Sequence, residues 1–339
     1  MDYTKLNEYL LNKKTDDYEK SYAWKTAIGL QKVDNLEPSE YLYETARKSI
    51  ENEISFQEAK ELIHSYYESK PCKDRTEEAD KVTVRIAEIL SEKSFNFSSV
   101  EYMSIHLRLF KGIYKHAGKF RDYNISKEEW VLNGESVIYG DFTNLKETLE
   151  YDLRGEKEFS YKGISIDEMI SHLARFVSNL WQNHIFGEGN TRTTAVFLIK
   201  YLNTLGFEIT NDMFLENSWY FRNALVRANY TNIKKNIYET TYYLELFLRN
   251  LLLNEDNKLS NRAMHVDYEN NIASNKSIIN TDDLILEVFK QNPSITLDVV
   301  ALKANKSLRT IKTIVKRLIE ENKLVREGSK KTGKWIVKQ

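Results

Sequence analysis

The chain has 339 residues, with 49 Lys+Arg against 50 Asp+Glu, a net charge of −1 and a pI of about 6.6. It is 41% hydrophobic and 12% aromatic, which excludes wholesale disorder, and at ~100–200 residues per domain two or three domains are expected. Twelve Gly and three Pro are too few turn-formers for an all-β sandwich or barrel. The single cysteine, Cys72, excludes an internal disulfide framework and a Cys-rich zinc site. No apolar run approaches the ~18 residues of a membrane span and the N-terminus is polar, so no membrane partner and a cytoplasmic location are expected. The near-zero net charge hides a polarity. Residues 301–339 hold twelve Lys/Arg and three acids, net +9, which leaves −10 on the first 300.

Residues 20–65 read as helices broken at Asn35-Leu36-Glu37-Pro38-Ser39. Pro38 disfavours helix at Glu37, and Ser39 can cap the next helix. Ser55-x-x-Glu58 has capping-box spacing, and Lys70-Pro71-Cys72-Lys73 reads as a linker. Helices are expected at 77–92 and 99–116. The helical period fades from Gly118 to Phe142, where Asn133-Gly134 between β-formers signals a hairpin. Helices are expected again at 143–153, 165–183, 191–205, 211–230 and 233–254, and a polar linker at 255–277. The last 60 residues read as three helices and a two-stranded basic hairpin. Their expected caps are Thr281-Asp282-Asp283 and Ser307, and the hairpin tip is Gly328–Gly333. That is the order of a winged helix-turn-helix.

The segment that carries chemistry is His184-Ile-Phe-Gly-Glu188-Gly189-Asn190-Thr191-Arg192, between two helices. Gly189 and Asn190 tolerate positive φ just before a helix start, so consecutive N–H groups can converge into an anion-binding nest at the positive end of the helix dipole. Arg192 can clamp phosphate bidentately, Glu188 can hold Mg²⁺ that bridges phosphate oxygens, and His184 is a candidate general base. Each residue alone is more often structural; their order within nine residues favours a site. A zinc-protease reading fails because His184 has no second His at helical spacing.

This nine-residue run resembles the Fic signature, His-Pro-Phe-x-(Asp/Glu)-Gly-Asn-Gly-Arg-x-x-Arg. Ile105-His106-x-Arg108-Leu109-Phe110 and Ala117-Gly118-Lys-Phe-Arg121-x-x-Asn124-Ile125 are similar to that family's upstream segments, and the resemblance spans about 80–255. It implies a mainly α protein, a Fic helical core with a β-hairpin flap, that transfers AMP from ATP to a Ser, Thr or Tyr hydroxyl of a protein, itself included. Under it, His184 deprotonates the hydroxyl and Glu188 binds Mg²⁺. Gly187, Gly189, Asn190 and Thr191 cradle the phosphates, Arg192 grips the β-phosphate, and Phe186 anchors the loop. Ser136, Val137, Ile138, Tyr139 and Gly140 form the flap that aligns the target backbone, and Asn229 borders the nucleoside. Three positions depart from the pattern: Ile185 for Pro, Thr191 for Gly, and Ala195 for the second Arg, which in the family binds the γ-phosphate or pairs with an inhibitory Glu.

Residues 27–39 resemble Vbh-type antitoxin segments, whose inhibitory helix reads (Ser/Thr)-x-x-x-Glu-(Gly/Asn). Leu30 and Asp34-Asn35 stand at those positions, and Arg47-x-x-x-Glu51-Asn52 is a second near match, so Asp34 and Glu51 are the inhibitory candidates. With Ala195 in place of the second Arg, inhibition by the usual bridge is expected to be weak or absent. In the tail, Arg309, Lys312, Thr313 and Lys316 on one helix face and Lys330 and Lys331 on the wing suit DNA binding. The expected domains are an antitoxin-like segment (1–75), a Fic domain (76–255), a linker (256–277) and a winged-helix domain (278–339). A homodimer is compatible with this reading. Two further functions stay open: a nucleotide-sensing DNA-binding regulator, and Fic chemistry with another group, UMP or phosphoryl.

Overall fold

The computed structural model describes residues 18–69, 74–209 and 211–267 and, further on, 285–286, 288–290, 292–293, 295–303, 308–327 and 333–338. The Lys70–Lys73 linker, the Thr281–Asp283 and Ser307 caps, and Lys330 and Lys331 lie outside the described residues. The chain divides into two compact units, at Val266/Asp267.

The first unit is helical among its described residues. Tyr18–Leu30 (α1) runs into a 3₁₀ turn, Gln31–Asp34. Glu40–Ile50 (α2), Phe56–Ser69 (α3), Thr76–Ser91 (α4) and Ser99–Phe110 (α5) follow. The expected caps are in place. The Ser39 hydroxyl accepts from the Leu42 amide, and Ser55 and Glu58 bond to each other's amides. α1 is no appendage. Trp24, Ala27, Ile28 and Leu30 are buried with the rest of the core, and a Cβ on Gly29 would lie 2.3 Å from the Leu215 Cα, so only glycine permits this approach of α1 to the helix at 213–228.

After α5 the chain leaves the helical path at Lys111 (ψ 125°) and turns through Gly112 (φ +78°), so the helix expected to reach 116 stops at Phe110. Asn133 and Gly134 both take positive φ, as their turn chemistry predicts, and the Glu129 amide bonds to the Glu135 carbonyl at 3.0 Å. The expected hairpin is otherwise not formed. Trp130–Leu132 is a 3₁₀ turn, and 136–140 is neither helix nor strand; side chains and the Gly140 amide on the Gln182 carbonyl (3.2 Å) hold it in place of a partner strand. Leu145–Glu158 (α6), Ile166–Gln182 (α7), Asn190–Thr204 (α8) and Met213–Ala228 (α9) complete the core. α8 is buried on every face from Asn190 to Leu202, the pattern of a central helix. The helix expected at 233–254 begins only at Tyr242 (α10, Tyr242–Leu253). Before it, Asn232–Ile237 closes a tight turn through Asn236 in the left-handed region. The expected linker also starts later than 256. Asn261–Met264 (α11) is helical, and Met264 and Val266 are buried in the first unit's core.

In the second unit, Leu297–Lys303 (α12) and Leu308–Glu320 (α13) precede Leu324–Glu327 (β1) and Lys334–Val337 (β2). The strands pair antiparallel, Leu324 opposite Val337 and Glu327 opposite Lys334. Phe289, Ile311, Val315, Leu318 and Trp335 form this unit's own core, whereas Ile319 is 43% exposed.

Candidate active site

The loop between α7 and α8 is built by contacts that reach across the sequence. His106, on α5, accepts from the Gly118 amide at Nδ1 (2.8 Å), so its Nε2–H donates to the Glu188 carbonyl (2.9 Å). Burial pushes the His106 imidazole down to about 3, so it stays neutral and serves as a fixed donor. Its ring stacks on Phe186 at 3.6 Å. The Asn190 side chain grips the Phe186 amide (3.0 Å) and carbonyl (2.8 Å), and the Thr191 hydroxyl accepts from the Trp181 indole (2.9 Å). Gly189 has φ +79°, and a Cβ there would lie 2.4 Å from the Phe110 ring, so conformation and space both require glycine. Among the described residues, the amides of Gly187, Glu188 and Gly189 have no backbone partner, which leaves a nest of donors.

His184 sits one residue past the α7 cap with φ +46°, a strained geometry fixed from several sides. Its Nδ1 lies 3.3 Å from the Trp181 carbonyl, which only a protonated Nδ1 can use; Nε2 is then the basic nitrogen. Burial pushes its imidazole well below the ordinary value, and the Lys127 charge adds to this, against the Trp181 bond. The ring packs on Tyr139 at 4.2 Å. The Tyr139 hydroxyl donates to buried Glu129 (3.1 Å), which Arg222 holds at 2.6 and 3.0 Å. Arg121 donates to the carbonyls of His184 (2.7 Å), Asn183 (3.3 Å) and Gly140, so one guanidinium ties the loop to the 136–140 segment. Gln182 donates to the Ile138 carbonyl (3.0 Å), while the Ile138 side chain is 84% exposed and Val137 is buried. Ser136 accepts from the Lys127 amide at 3.1 Å.

The two charged residues of the loop differ sharply. The Glu188 side chain is 48% exposed and pairs with Lys127 at 3.0 Å. Such an exposed pair is worth about 0–1 kcal/mol. Arg192 is fully buried. It faces Asp34 at 2.8 Å, in an ion pair without hydrogen-bond angles, and donates to Glu78 (2.7 Å), Gln31 (3.1 Å) and the Tyr114 hydroxyl (3.3 Å), over the Phe110 ring. Removing one partner from such a buried arrangement costs about 3–5 kcal/mol. Burial pushes the Glu78 carboxyl up, but hydrogen bonds from Arg75 and the Arg192 charge outweigh it and hold it at about 2.

Asp34 therefore has a partner other than the second arginine of the usual bridge, which Ala195 leaves unmade. The motif's first arginine takes the place of the missing second one, and Ala195 is buried in the core. Glu51 pairs with Arg47 in its own helix end at 2.6 Å. Asn229 follows α9 and donates to the carbonyls of Ser178 (3.2 Å) and Leu225 (2.9 Å). Lys127, Glu78, Gln31, Glu129 and Arg222 carry no local sequence signal; they are recognised only because the fold brings them to the loop. A cleft of 690 Å³ opens near the other end of α8, around Lys200, Asn203 and Phe207, and contains no motif residue.

Among the described residues, no group of three or more His, Cys, Asp or Glu could by itself hold a metal ion. A lone Glu188 beside an anion nest suits an ion that takes its other ligands from phosphate oxygens and water. No helix among the described residues is long and apolar enough to cross a membrane. No match is found among curated proteins. Residues 96–202, which run from just before α5 nearly to the end of α8 and include the whole loop, match the family model Fic, of the Fic/DOC family. The chain thus carries a Fic/DOC family domain over roughly a third of its length, from a family that transfers nucleotide or phosphate groups to proteins.

Proposed function

We propose that the chain is a protein adenylyltransferase that moves AMP from ATP to a Ser, Thr or Tyr hydroxyl, on itself or on a target protein. The observation that carries the reading is one loop holding a neutral, buried His184 beside the unpaired amides of Gly187–Gly189. The amides take the phosphate oxygens of the nucleotide. His184 Nε2 removes the proton of the target hydroxyl. The hydroxyl oxygen bonds to the α-phosphorus, the bond from that phosphorus to the bridging oxygen breaks, and pyrophosphate leaves with the electron pair. Glu188 would hold Mg²⁺ shared with the phosphates, and the ion when bound neutralises charge there. The 136–140 segment, with Ile138 outward and its backbone fixed by Gln182 and Arg121, is the platform for the target chain. Arg192 can reach a phosphate only after Asp34 and Glu78 let go. In the test, His184→Ala abolishes transfer from α-phosphate-labelled ATP; transfer at the wild-type level overturns the mechanism.

The C-terminal unit supports a second partner, DNA. Lys312 and Lys316 are exposed on α13 and line a shallow groove of 480 Å³ with Leu308 and Thr313, in a segment of strong positive charge. Arg309 belongs to the same helix. Fluorescence anisotropy with duplex DNA is expected to show salt-dependent binding, lost in the Lys312→Ala/Lys316→Ala double variant; unchanged binding in that variant removes α13 as the reader.

A further inference from the structure

We propose that Lys127 is a phosphate-binding side chain of the loop site, the cation that meets the anionic group of a nucleotide seated on the Gly187–Gly189 amides. The inference rests on the loop being a nucleotide site, and it concerns how phosphate is held rather than which group is transferred.

Three arginines packed at the loop are committed to other partners. Arg192 is fully buried and divided among Asp34, Glu78, Gln31 and Tyr114. Arg121 is spent on the carbonyls that shape the loop, and Arg222 on both oxygens of buried Glu129. Lys127 differs from all three. Among the described residues its ammonium meets Glu188 alone, at 3.0 Å, with its side chain 23% exposed and that of Glu188 48% exposed. It can therefore move to an incoming anion without stripping a buried charge of its partner.

Lys127 is also placed where such an anion must lie. Glu188 stands between Gly187 and Gly189, the residues of the nest, and the Lys127 charge is felt at the His184 imidazole. Its backbone is fixed to the flap segment by the amide bond to the Ser136 hydroxyl, so the ammonium swings from a set origin. α8 offers no substitute, because the position one turn after Arg192 is the buried Ala195. A lysine in the flap connection thus supplies the charge that the helix does not present.

The test uses the full chain and isothermal titration calorimetry in a chelating buffer, so that only the protein's own cations act. Wild type, Lys127→Ala, Lys127→Met and Lys127→Arg are titrated with ATP, inorganic tripolyphosphate and adenosine. Wild type is expected to bind tripolyphosphate. Ala and Met are expected to weaken ATP and tripolyphosphate by about tenfold or more, with Arg close to wild type and adenosine affinity unchanged in all four. Three results overturn the proposal: tripolyphosphate binding unaltered in Ala and Met, adenosine affinity falling in parallel, or no binding of tripolyphosphate by wild type. The outcome is separable from the chemistry. A wild type that transfers no label from α-phosphate-labelled ATP defeats the adenylyltransferase reading and leaves the lysine standing, whereas unaltered phosphate binding defeats the lysine and leaves the transfer reading standing.

Discussion

Two charged positions of the nine-residue motif are built in opposite ways. At the first, in the centre of the motif, Glu188 is half in solvent and shares a weak pair with Lys127. At the other, four residues on, Arg192 is sealed from solvent and bound to groups from three separate stretches of chain, Gln31 and Asp34, Glu78, and Tyr114. A motif that reads as one functional unit thus has one exchangeable position and one committed position. The difference teaches that motif spacing assigns residue types to a site but not their availability; burial and long-range partners decide that.

The largest expected effect on this contrast comes from the committed position. Glu78→Ala leaves Arg192 and Arg75 short of their shared carboxylate and should lower unfolding free energy by about 3–5 kcal/mol in urea melts. A loss below about 1 kcal/mol would show Arg192 to be as exchangeable as Glu188. The same pairing has a pH signature. Glu78 has a folded-state value of about 2 against an ordinary 4.5. Its contribution is therefore fully present above about 4.5 and is lost as pH falls through 2. Acid unfolding of the wild type should show this loss in that window, and Glu78→Gln should remove it.

A smaller effect is expected at Asp34. Asp34→Ala removes one contact while Glu78 and Gln31 keep their hold, so self-modification should rise a few-fold rather than by orders of magnitude. Glu51→Ala, which removes the pair with Arg47 and touches none of the contacts that hold Arg192, should leave the rate unchanged. A larger jump at Asp34 would make it the main lock on Arg192; a jump at Glu51 would contradict the placement of that residue. The smallest effect concerns acidity at the first residue of the motif. Because His184 stays neutral well below 6.5, the rate should show no inflection near 6.5; an inflection there would place the imidazole in a more solvated setting.

Helices with capping chemistry were legible in sequence, because their signals are local. Ser39, Ser55 with Glu58, and the positive-φ pair Asn133-Gly134 all stand as their residue types predict. The helix expected over 233–254 was not legible, since Asn236 in the left-handed region breaks a pattern whose apolar spacing continues through it. The expected hairpin failed for a related reason. A turn signal says where the chain reverses, and the ladder beyond it depends on partners; here Arg121 and Gln182 took that role. Of the site, the loop residues and their order were readable. The hold on Arg192 was not, because Asp34 and Glu78 stand 158 and 114 residues before it and nothing local encodes their meeting. Gly29, read only as a helix residue, proved to be the contact that lets α1 lie against α9 and so brings Asp34 to the loop.

The central claim, AMP transfer begun by His184, is tested most directly by the intact mass of the purified chain after incubation with Mg²⁺ and ATP. The account predicts a species heavier by one AMP in the wild type and none in His184→Ala. A phosphate increment, a UMP increment formed only with UTP, no mass change at all, or an AMP increment that survives in His184→Ala would contradict it.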